Sequence, residues 1–148
     1  MGILQYCTPR RDLLEDNINL GMFTASLDEV HRHYTDGSLR NPIYTDAEVF
    51  FQQATYVTTS MKRVFSDVFA RLSGDTTATM LNRLETGFGG GKTHTLIACM
   101  HLARKGKTIS SVVGDAIPET LLPEPGEVSV VAVAGEMTPV TMTKGARI

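Results

Sequence analysis

The chain has 148 residues, a formal net charge of −2, 42% apolar and 20% charged side chains, the composition of a globular protein of about one domain. So small a charge names no strong nucleic-acid or acidic partner, and no run approaches the roughly 18–20 apolar residues of a membrane span. The N-terminus MGILQYCTPRRDLL lacks the features of a signal peptide, and Cys7 and Cys99 form neither a disulfide framework nor a metal spacing, so free thiols and a cytoplasmic protein are expected.

In chain order, Ser26 with Glu29 three residues on has the spacing of a capping box, which predicts a short helix over 27–34. TDGSLRNP supplies Asp-Gly and Asn-Pro turns, and Asp46 can cap a helix carrying Val49, Phe50 and Phe51. Met61, Val64, Phe65, Val68, Phe69 and Leu72 recur at i, i+3, i+4 and i+7, which predicts an amphipathic helix over 61–72 that packs a core. SGDTT at 73–77 ends it. From Thr77 the character changes: TTATMLNRLETG reads as a strand, GFGGG as a loop, and 93–103 as a helix apolar on nearly every side. After Gly106 a proline-broken connection leads into VSVVAVAG, a valine-rich run that suits a strand covered on both faces, although so short a run is also compatible with buried helix. Strand, glycine loop, helix, strand is a βαβ unit, and an incomplete sheet edge near 128–134 predicts association.

The loop carries the chemistry. Four of five residues from Gly87 to Gly91 are glycine, a costly choice unless backbone must take positive φ or approach something closely. A phosphate needs converging backbone N–H groups without Cβ atoms in the way, which Gly87, Gly89, Gly90 and Gly91 can supply. The helix that follows adds its unsatisfied N-terminal amides and the positive end of its dipole. Lys92 can then reach β and γ phosphates as the catalytic cation, the Thr93 hydroxyl can hold Mg²⁺, and His94 sits close enough to touch nucleotide. Gly91, Lys92 and Thr93 match the end of G-x-x-x-x-G-K-[ST], but Thr86 stands at the leading glycine position, which puts the tight turn into doubt. The expected fold is therefore α/β: a helical region over 1–76, then an incomplete P-loop NTPase βαβ core over 77–148, with a parallel sheet in a Rossmann-like three-layer arrangement. Its expected ligands are ATP and Mg²⁺.

LETGFGGGKTHTLIACMHLA resembles the phosphate-loop segment of large bacterial and archaeal ATP-binding proteins grouped as domain of unknown function 499. TPRRDLLEDNINLGMFTASLDEV, YTDAEVFFQQATYVTTSMKRVF and RLSG resemble the segments that precede that loop. The resemblance covers most of the chain. It implies an AAA-like ATPase encoded beside DNA methylases and helicases in phage-defence clusters, so DNA enters only by family context.

Such an ATPase also needs an acidic strand end and usually an arginine finger. VSVVAVAGEM offers Glu136 to orient water, but Gly135 stands where an aspartate would hold Mg²⁺, and a carboxylate on a strand-exit loop is the plainer reading. With KGARI ending the sequence, a truncated domain is expected, one that binds ATP, hydrolyses it poorly alone, and depends on other subunits or the rest of its domain. The alternative is a non-enzymatic interaction fragment, docked through its 61–72 helix, with a vestigial loop. A small-molecule kinase or GTPase would need base-recognition and lid segments that are not found. His31 and His33 in HRH lack a third metal ligand, as do His94 and His101, and the cations of ARKGK are what a helix C-terminus attracts anyway.

Overall fold

Ser26 starts the first long helix as its spacing predicts. In the computed structural model, which describes residues 14–15, 20–38, 41–87 and 89–133, Ser26 Oγ accepts a hydrogen bond from the Glu29 amide at 3.3 Å. Helix α1 (Leu27–Asp36) follows, preceded by a 3-10 turn at Leu20–Phe23, and Gly37 closes it at φ 74° with its amide on the His33 carbonyl. Asn41, at φ 47°, reaches back to the Gly21 carbonyl and hands the chain to α2 (Pro42–Thr45), with proline at the first helical position. Asp46 then accepts from the Glu48 and Val49 amides at 2.9 and 3.0 Å, starting α3 (Ala47–Val49). This short helix widens into a π turn, Phe50–Ala54, that places both Phe50 and Phe51 in the core.

The 61–72 periodicity becomes α4 (Thr59–Leu72), whose first turn is capped by the Thr58 hydroxyl on the Met61 amide at 3.2 Å. Met61, Phe65 and Phe69 are its buried stripe, while Val68 packs on the margin of the core and Leu72 is half-exposed. Helix α5 (Lys92–Lys105) buries Ile97, Ala98, Met100, His101, Leu102 and Ala103 and packs against α1. Beyond it come a 3-10 turn at Gly106–Ile109, helix α6 (Ser110–Val113) and further 3-10 turns at Gly114–Ala116 and Glu119–Leu121. Phe50, Phe65 and Phe69 have no exposed surface, and each such ring stabilises the fold by about 2–3 kcal/mol relative to exposure.

The expected α/β fold is overturned: the described residues are all-helical, with no strand or sheet among them. The run after Thr77 that reads as a strand has no ladder partner there, and Met80 and Leu81 stand about four-fifths exposed. The valine-rich run does keep a strand's alternation, with Val128, Val130 and Ala132 packed on the core while Ser129, Val131 and Val133 face outward. What it lacks among the described residues is a neighbour. A strand's hydrogen bonds lie between segments, so β-compatible residues without a paired segment remain irregular chain. The stretch between α4 and α5 instead turns on Asp75, whose carboxylate accepts from the amide and hydroxyl of Thr77 at 2.8 and 2.6 Å.

Candidate functional site

The glycine loop delivers the chain into α5 through two left-handed residues, Gly89 at φ 76° and Gly91 at φ 75°, a conformation that L side chains rarely adopt. Between them Gly90 is required for another reason. A Cβ there would overlap the Thr86 hydroxyl and come within 3.1 Å of the Gly87 carbonyl, which already accepts from the Gly90 amide at 3.2 Å. Thr86, which stands at the usual leading glycine position, is thus folded over the loop.

Lys92 closes this turn. Its ammonium donates to the carbonyls of Thr86 at 2.9 Å and Gly87 at 3.0 Å and, at 3.3 Å, to Thr86 Oγ1. All three acceptors are neutral oxygens. No side chain caps α5: its N-cap is Gly91, whose carbonyl accepts from the amide and the hydroxyl of Thr95, each at 2.9 Å. The first-turn amides of α5 therefore point out of the helix with no cap side chain on them, and Thr93 is exposed on the same turn.

His94 takes a different direction from Lys92 and Thr93. Its Nε2 lies 2.9 Å from the Thr55 hydroxyl, and its ring packs on Phe50 with centroids 4.6 Å apart and meets the edge of Tyr44. Half-burial holds its pKa below the ordinary histidine value, so the ring is neutral near pH 7. This contact fastens the first turn of α5 to the end of the π turn. Between the loop and the start of α4 lies a cavity of about 280 Å³, with Thr86, Gly90, Gly91 and Lys92 on one wall and Tyr56, Met61 and Val64 on another.

Gly87, Gly89, Gly90, Gly91, Lys92, Thr93 and His94 are therefore neighbours in space as in sequence, while Glu136 lies outside the described residues, as does Cys7. Sequence reasoning did not find Tyr56 or Thr55. The available signal was slight: one aromatic in the polar stretch ATYVTTS, outside any helical period.

The remaining candidates have structural partners. His33 Nδ1 lies 3.1 Å from the Ser38 carbonyl, and no group of three metal-ligating side chains occurs among the described residues. Arg104 donates to the Val130 carbonyl at 3.1 Å and lies over the Tyr34 ring, while Lys107 pairs with Glu124. Cys99 is mostly buried, which pushes its thiol up to about 12 and leaves it unreactive near neutral pH. Among the described residues no helix is long and apolar enough to cross a membrane.

Residues 25–118, well over half of the chain, match the family described as the DUF499 N-terminal domain. No curated protein and no solved structure matches the chain.

Proposed function

The chain belongs to the family of the DUF499 N-terminal domain, and from that premise we propose that its 87–93 loop binds the triphosphate of a magnesium nucleotide, ATP first, as the ligand-holding part of an AAA-like ATPase. The observation that supports this most is the junction of loop and helix. Positive-φ glycines lead into a helix whose first turn has no side-chain cap, and a lysine at that turn holds only neutral oxygens. A phosphate competes well for all of these donors. The ammonium's bonds to the Thr86 and Gly87 carbonyls are already charge-assisted, but a phosphate oxygen adds an opposite charge to the hydrogen bond, and that Coulombic attraction favours moving the Lys92 ammonium onto the ligand. The amides of the first turn, together with the helix dipole, face the same anion. Thr93 is the residue that would hold Mg²⁺, whose chemistry when bound is to neutralise charge shared by the β and γ phosphates.

Binding with little turnover is the proposed activity of this chain alone. Hydrolysis needs a group that orients water, and the described residues lining the cavity offer hydroxyls, a lysine and a neutral imidazole rather than carboxylates. A second reading, a docking fragment that uses no nucleotide, is favoured by the half-exposed Leu72 and Leu96, which line an apolar groove with Val131 and Val133.

Calorimetric titration with Mg-ATP and Mg-GTP, with Lys92→Ala as control, separates the two. Saturable binding that the variant loses, without steady phosphate release, is the expected result. No binding by the unaltered chain would leave the docking reading. Steady phosphate release abolished by Lys92→Ala would show that this chain carries its own hydrolytic machinery.

A further inference from the structure

The phosphate-loop reading leaves half of the cavity unexplained. The cavity is also lined by Tyr56, a tyrosine with 87% of its surface exposed, and by the apolar side chains of Met61, Val64 and Leu84. A single exposed aromatic on a protein surface means little by itself. Here two further observations give it direction. Tyr56 lines the same cavity as Thr86 and Lys92. The chain near it is also pinned: Thr55 is tied to His94, and the Thr58 hydroxyl caps α4. The backbone is therefore anchored close to Tyr56 on both sides while the ring itself stays in solvent. A ring held this way loses little freedom on meeting a ligand, and a flat apolar ligand face can cover surface that water now covers.

We propose that Tyr56 stacks on the nucleobase of the nucleotide whose phosphates occupy the 87–93 loop, making it a base-binding residue of a subsite lined by Met61, Val64 and Leu84. This proposal rests on the phosphate-loop reading and assigns the other end of the same ligand. The lining of the cavity joins the Lys92 ammonium and hydroxyl side chains to the aliphatic and aromatic surface of Tyr56, Met61, Val64 and Leu84, the two kinds of surface that a nucleoside triphosphate needs. Stacking uses a π face that every base has, so the contact adds affinity without sorting adenine from guanine.

The test compares Mg-ATP, Mg-GTP and magnesium tripolyphosphate by calorimetry on the unaltered chain, Tyr56→Ala and Tyr56→Phe. Loss of one base–aromatic stack predicts roughly tenfold weaker binding of both nucleotides by Tyr56→Ala, with tripolyphosphate unchanged and Tyr56→Phe close to the unaltered chain. Tyr56 is exposed, so truncating it removes no core contact, and the melting temperature of each variant checks that directly. Equal ATP affinity in Tyr56→Ala and the unaltered chain overturns the base subsite, and so does an equal loss of ATP and tripolyphosphate. If the unaltered chain binds tripolyphosphate as tightly as ATP, the base subsite falls and the phosphate loop stands. If it binds neither, both fall together.

Discussion

His101 has no exposed surface, yet both of its ring nitrogens have partners. Nε2 lies 2.9 Å from the Tyr44 carbonyl, which can only accept, so Nε2 carries the proton and Nδ1 accepts from the Tyr34 hydroxyl at 2.7 Å. Burial is the main reason its pKa falls to about 4; the Tyr44 carbonyl and the Asp46 carboxylate pull it back upward, while His33 and Lys105 push it down. Burial likewise drives the Tyr34 phenol well above its ordinary value. The consequence for stability has a definite sign. As pH falls from about 6.5 toward about 4, the unfolded chain takes up the proton that folded His101 refuses, so stability is full above that window and is lost through it, by roughly 3 kcal/mol in all. Urea midpoints measured between pH 7.5 and pH 4.5 are expected to fall accordingly. His101→Gln, which can still donate to the Tyr44 carbonyl, is expected to flatten the slope but leave a remnant from His94, whose pKa is lowered in the same direction. A slope as steep in the variant as in the unaltered chain would show that other groups set the acid limit.

At the scale of elements, the helices begin and end where short side chains and glycines dictate. Ser26, Asp46 and Thr58 each accept from an amide of the turn they start, and such caps are readable because donor and acceptor lie within three residues. Gly106 is a terminator of a different kind. It leaves α5 at φ 52°, and a Cβ added there would run into the Pro123 carbonyl, which also accepts from the Lys107 amide at 3.1 Å. Gly106→Ala is therefore expected to be destabilising through both backbone strain and overlap, by about 2 kcal/mol or more, read as a lowered melting temperature. An unchanged melting temperature would mean that the 123–124 segment yields freely. The π turn Phe50–Ala54 was harder to anticipate. Asp46 marked the helix start, but the widening that turns Phe50 and Phe51 together into the core answers to Tyr44, His94 and His101, which come from other elements.

For the whole molecule, a nucleotide lying in the cavity would touch two elements at once, the start of α4 and the start of α5, and so would bind the folded chain alone. Mg-ATP at about 100 times its Kd then adds about 2.7 kcal/mol of stability, a rise of roughly 5–10 °C in melting temperature for a chain of this size. A thermal scan in which Lys92→Ala shows the same rise would point to ATP binding elsewhere. The amphipathic stripe of Met61, Phe65 and Phe69, the capped starts of α1 and α3, and the run of glycines into Lys92 and Thr93 were all legible in the amino-acid order, because each is a relation among residues a few positions apart. A helix closes its hydrogen bonds within four residues, and a glycine turn answers to local sterics. The valine-rich run shows where that reasoning fails, since pairing depends on a distant segment and residue type alone does not supply one. The same holds for the cavity and the buried polar network. Thr55 meets His94 across 39 positions and Tyr34 meets His101 across 67, contacts that only the packing of α1, the π turn and α5 creates. The sequence by itself determined the capped helix starts and the glycine turn into α5; tertiary structure decided that Tyr56 lines one cavity with that turn, because the wall of a pocket is assembled by packing from residues that local order leaves apart.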